Sequence, residues 1–144
     1  MEFKKVMNVR ADQLYDAILD SISYEAKISK KKIVKGFSYT KEMKTKMSAK
    51  GNILVTIEDL EENRIYAARF SSAQGENYLK YEINEIDENK IEVTYTEGFE
   101  GSSKSKTLNY KLLNSFYRRS FNKKTNTTLE NIENWILSNS NNEN

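Results

Sequence analysis

Two charged residues sit where the alternation of the chain puts apolar ones. Lys41 lies between Tyr39 and Met43, and Glu97 lies between Tyr95 and Phe99. An unpaired charge on an apolar strand face costs on the order of several kcal/mol. Such a residue must pair, reach water at a strand end, change parity at a bulge, or serve a site. Gly98 beside Glu97 makes a bulge the simplest reading there. The chemistry on offer is proton transfer by a carboxylate or amine, or a polar anchor for a bound molecule. Glycoside hydrolysis would need a second acid on the same face, and the pattern nominates none.

Tyrosine is abundant, with 9 residues, and Tyr39, Tyr81 and Tyr95 share the parity of their apolar neighbours. Buried tyrosines satisfy their hydroxyls inside a core or supply polar handles to an apolar pocket. The stretch from Gly98 to Ser105 places glycine, serine and lysine before a helix, as phosphate loops do, but lacks the Gly-Lys-Ser/Thr order of a P-loop. It reads as a connection. Phe116, Tyr117, Arg118, Arg119 and Phe121, with Lys123 and Lys124, could stack on bases or lie on a membrane. The plainer account has the aromatics packing inward while the cations reach solvent.

Composition closes other routes. The 144 residues include no Cys, no His and no Pro, with 38% hydrophobic and 31% charged residues. Thiol and imidazole nucleophiles, Ser-His-Asp triads and N/S zinc sites are therefore excluded. No metal or other cofactor is expected, and no catalytic residue is nominated. The length is that of one domain with an ordinary core. The N-terminal stretch alternates charge and apolar residues, unlike a signal peptide, and no run approaches the ~18 apolar residues of a membrane span. A soluble, cytoplasmic protein is the expectation, in line with the missing cysteines.

The net charge of +2 hides an uneven distribution. Between residues 27 and 50 there are nine lysines against Glu42 alone, whereas residues 76–100 hold eight acids against Lys80 and Lys90. A basic patch could attract nucleic acid or an anionic surface. Lysines such as Lys44 and Lys46 on an edge strand also resist pairing with other chains, and this reading is preferred to nucleic-acid binding.

These residues need elements to hold them. Phe3 to Val9 reads as a strand, followed by a helix carrying Leu14, Tyr15, Ile18 and Ile22. Residues 23–36 form a short helix or loop. From Phe37 the period becomes two, and strands over Phe37–Met47, Ile53–Glu58, Ile65–Ser71, Tyr78–Ile86 and Ile91–Phe99 make a five-stranded meander. Ala73-Gln74-Gly75 and Asp87-Glu88-Asn89 supply turns. Leu108 to Leu137 is a long amphipathic helix with Leu112, Phe116, Leu129, Ile132, Trp135 and Ile136 near one stripe. Trp135 is expected to be buried against the sheet. The expected domain covers residues 1–137, with 138–144 as a polar tail.

The stretches Lys35 to Lys41, Phe70 to Gly75 and Ser103 to Tyr110 resemble those of a small bacterial domain-of-unknown-function family in the START-like (SRPBCC, helix-grip) superfamily. The resemblance implies an α+β fold: a curved antiparallel sheet of about six strands wrapped around the C-terminal helix. The N-terminal strand would lie beside the last meander strand. It also implies a cavity between sheet and helix for a small apolar or amphipathic ligand. Parity then assigns the lining to Tyr39, Lys41, Met43, Val55, Tyr81, Val93, Tyr95 and Glu97 on the sheet and Leu112 and Phe116 on the helix, with Glu97 as polar handle. Non-enzymatic binding ranks first among functions. A protein-interaction module using the exposed sheet face or basic edge strand comes second, and an enzyme third. No particular protein partner is indicated.

Overall fold

The computed structural model describes residues 1–44 and 50–142, with side chains described at all of these except 43, 44, 50, 112–116, 141 and 142. Lys46 and the side chains of Met43, Lys44, Leu112 and Phe116 thus lie outside the described residues. The element order is β1 (Glu2–Met7), α1 (Ala11–Ala26), a 3-10 turn (Lys30–Lys32), β2 (Ser38–Lys44), β3 (Lys50–Glu61), β4 (Ile65–Ser72), β5 (Gly75–Asp87), β6 (Lys90–Gly101) and α2 (Lys104–Asn142).

The six strands form one antiparallel sheet in the order β1-β6-β5-β4-β3-β2. Consecutive strands from β2 to β6 pair with each other, and β1 closes the far side against β6 from Glu2↔Thr96 to Met7↔Ile91. This is the START-like helix-grip fold, with β1 and β2 at the two edges. Gly75 occupies φ 139°, and a side chain there would collide with the Glu100 carbonyl oxygen. Only glycine fits that hairpin without strain.

Alternation along the strands turns one face inward. Met7, Val55, Ile57, Ile83, Ile91 and Val93 are buried in one cluster with Leu14, Ile18 and Ile22 of α1 and Leu129 and Ile136 of α2. The α1 residues recur every three or four positions, so a single helical stripe meets the sheet.

The helix departs from its expected bounds. It starts at Lys104, so little chain separates it from β6, and it continues through residues 138–142. Its polar first turn carries no apolar periodicity to announce it. Gly98 causes no bulge, because β5 and β6 pair in register through Tyr78↔Gly98 and Leu79↔Glu97. The irregularities fall between Ile57 and Asp59 and between Glu85 and Asp87. Trp135 is also placed differently from expectation, at 53% exposure. The buried stripe of α2 runs through Phe121, Thr125, Leu129 and Ile136. At about 100° per residue, Trp135 falls on the flank of that line.

Candidate functional site

An open cleft of about 650 Å³ lies between α1, the inward face of β2, β4 and β5, and the C-terminal half of α2. The α1 wall is offered by Ala17, Ile18, Ser21 and Ile22, with Asp20, Tyr24 and Glu25 completing that side. The floor holds Tyr39 and Lys41 of β2, Tyr66 and Phe70 of β4, and Leu79 and Tyr81 of β5. Thr128, Asn131, Ile132 and Trp135 of α2 complete the enclosure. Six aromatic side chains therefore surround the space. Register explains the floor: Tyr66 stands opposite Tyr81 and Tyr81 opposite Tyr95, so their side chains lie in a row across three strands. The rings are 6.1 Å and 5.0 Å apart, and Tyr95 continues the row onto Phe121 of α2 at 6.1 Å.

The polar feature of the cleft is a three-residue cluster. The Lys41 Nζ meets Glu25 Oε1 at 2.8 Å. The Tyr39 hydroxyl donates to Glu25 Oε2 at 3.1 Å. The same ammonium lies 5.2 Å from the centre of the Phe70 ring, within reach of its negative face. Near the rim, Asp20 pairs with Lys30. Burial, followed by the neighbouring Glu25 charge, pushes the Tyr39 phenol well above its ordinary value. Burial does the same for Tyr66, and raises Tyr81 to about 12 with help from Glu97. These hydroxyls stay protonated across the neutral range.

A second, smaller cavity of about 180 Å³ adjoins the first and shares Tyr81 and Thr128 with it. It is lined by Tyr95 and Glu97 together with Phe121, Lys124, Thr125 and Leu129. Glu97 accepts a hydrogen bond from the Tyr95 hydroxyl at 2.9 Å.

The sequence-derived lining is thus divided. Tyr39, Lys41 and Tyr81 meet in the large cleft, while Tyr95 and Glu97 belong to the small cavity. Val55 and Val93 are fully buried in the core cluster and line neither cavity. The counter-charge of Lys41 is Glu25 and not Glu97. Glu25 escaped the sequence reading, although it lies three positions after Ile22, on the line that continues the buried stripe of α1. A carboxylate continuing an apolar helical stripe is the signal that could have found it.

The geometry defines a START-like helix-grip protein with an aromatic cleft under its long helix. The chain matches the family described as "Domain of unknown function (DUF3284)" over residues 1–118 and belongs to it. Among solved structures, a protein of unknown function from Staphylococcus aureus, SA2116, superposes with a TM-score of 0.66 at 13% identity, covering 98% of this chain and 94% of that one. Ara h 8.0201 gives 0.60 at 16% identity, over 96% and 97% of the two chains. The Zhui aromatase/cyclase from Streptomyces sp. R1128 gives 0.60 at 12% identity, over 92% of each. At these identities the likeness is one of fold. Comparison with curated protein sequences gives no match. Among the described residues, no helix is long and apolar enough to cross a membrane.

Proposed function

We propose that the chain binds a small apolar or amphipathic molecule in the cleft between α1, the sheet and α2, without transforming it. The observation that carries this reading is the cleft itself, about 650 Å³ in volume with six aromatic side chains around it. That volume is within the ~300–1,000 Å³ range of small-molecule sites, and apolar walls with few polar groups are what such sites use. The absence of His and Cys leaves little catalytic machinery beside it. We assign this activity to residues 1–137 as one domain. Since a chain without cysteine suits a reducing compartment, we place it in the cytoplasm.

Trp135 is the single tryptophan and lies at the cleft, so its fluorescence reports occupancy directly. Titration with dodecanol below its solubility limit should shift the emission to saturation near one equivalent. A Phe70→Glu variant, which adds a carboxylate to the floor, should abolish the shift. No spectral change and no saturation would overturn the reading.

A further inference from the structure

The large cleft and the small cavity follow one another in two independent directions. Across the sheet, the cleft draws on β2, β4 and β5, whereas the small cavity draws on Tyr81 of β5 and then on Tyr95 and Glu97 of β6. The strand order therefore leads from the one into the other at Tyr81. Along α2 the small cavity is lined between Phe121 and Leu129 and the cleft between Thr128 and Trp135. At 1.5 Å per residue each takes up ~10–12 Å of helix, with the overlap at Thr128. Among the described residues, Tyr81 and Thr128 alone line both spaces. Thr128 is exposed and spends its hydroxyl on the Lys124 carbonyl at 3.0 Å, which leaves it at the rim. The Tyr81 ring is what stands at the boundary, 6.1 Å from Tyr66 on the cleft side and 5.0 Å from Tyr95 on the other.

We infer that Tyr81 is a length stop: the cleft selects molecules whose apolar body is short enough to end against the Tyr81 ring, and the small cavity beyond it is closed to them. The inference rests on the cleft-binding reading above and adds the residue that limits the size of the ligand. The polar cluster of Glu25, Lys41 and Tyr39 stands at the β2 end, and Tyr81 on β5 is the lining residue at the opposite end. An amphipathic molecule that keeps its polar end with that cluster or with water at the mouth sends its apolar end toward Tyr81. The Tyr81 hydroxyl has no hydrogen-bond partner among the described residues, so shortening the side chain breaks no hydrogen bond there.

The test is a series of straight-chain alcohols from hexanol to tetradecanol, each below its solubility limit, titrated on the full chain against Trp135 fluorescence. Each further CH2 taken out of water tightens binding about fourfold. In the parent this increment should cease at one chain length, since carbons added past the stop remain in water. Tyr81→Leu should carry the increment on to longer chains, so that tetradecanol binds the variant about tenfold or more tighter than the parent while hexanol stays within about twofold. Tyr81→Phe keeps the ring and should keep the parent's limit. Should Tyr81→Leu fail to fold, nuclear Overhauser contacts in the parent decide: the tetradecanol chain should reach the Ile132 methyl groups of the cleft and not the Thr125 methyl of the small cavity. An increment unbroken through tetradecanol in the parent, a limit unmoved by Tyr81→Leu, or contacts to Thr125 in the parent would overturn the length stop while leaving the cleft as a binding site. Absence of binding by every alcohol would overturn the cleft reading itself, and the inference with it.

Discussion

A charged residue facing inward from a strand has to be answered by something, and at Lys41 the answer comes from a helix. Alternation alone singled out Lys41 and Glu97, because a period of two leaves no ambiguity about which face a residue takes. The partner Glu25 was hidden because strand parity says nothing about what a helix brings opposite. Trp135 illustrates the same limit: a stripe drawn by spacing cannot separate its centre from its flank when the helix is long and mostly polar. Two substitutions distinguish those places. Leu129 is 0% exposed, and Leu129→Ala should lower stability by ~2–5 kcal/mol. Trp135→Ala, at half exposure, should cost less, ~1–2 kcal/mol, since about half of its surface already meets water. Urea unfolding followed by circular dichroism would compare them, and equal losses would contradict the packing described for α2. Glu97 lines only the smaller cavity, so Glu97→Gln should leave saturation of the Trp135 signal by dodecanol unchanged and shift stability by less than about 1 kcal/mol. A large change in either would move the functional centre toward Glu97.

At the scale of elements, the sheet was readable in detail and the long helix was not. Five strands announce themselves by period and by their turn residues, whereas the place of β1 beside β6 was implied by the family resemblance. The start of α2 has neither signal, because the turn from Lys104 to Thr107 contains no apolar residue to set a phase. The fold leaves β2 as an edge strand that pairs, among the described residues, with β3 alone. Thr40 and Glu42 are exposed on it, and Glu42 is the type of charge that discourages a further strand from adding. Replacing both by Val should leave the far-ultraviolet circular dichroism unchanged and accelerate aggregation on warming, as followed by light scattering. An unchanged aggregation rate would show that the edge is protected by other means. The β4–β5 turn offers a sharper test. Gly75→Ala sets a methyl group against the Glu100 carbonyl at a backbone angle that alanine rarely adopts. Backbone strain of this kind costs on the order of 1–3 kcal/mol, to which the clash adds. A variant as stable as the parent would mean that the hairpin can be rebuilt.

For the whole molecule, the row of tyrosines sets the response to alkali. There is no histidine, so the side chain that ordinarily titrates near neutrality is absent. Tyr66 and Tyr81 have their phenol values raised by burial, Tyr81 to about 12, and Tyr95 is raised by burial and then by Glu97. In the unfolded chain each phenol ionises near its ordinary value of ~10. The folded form therefore holds protons that the unfolded form has released, and stability falls as pH rises through that interval. The contribution of Tyr81 is fully present below pH ~10 and is lost progressively up to about 12. Thermal melts should accordingly decline above pH ~10, with tyrosinate absorbance appearing together with unfolding and not ahead of it. Tyr81→Phe keeps the ring and removes the ionisable group, so its melting temperature should fall less steeply over the same range. A parent and variant with identical alkaline slopes would show that Tyr81 is already open to solvent, in which case the aromatic row would be a wet surface and not the wall of a binding cleft.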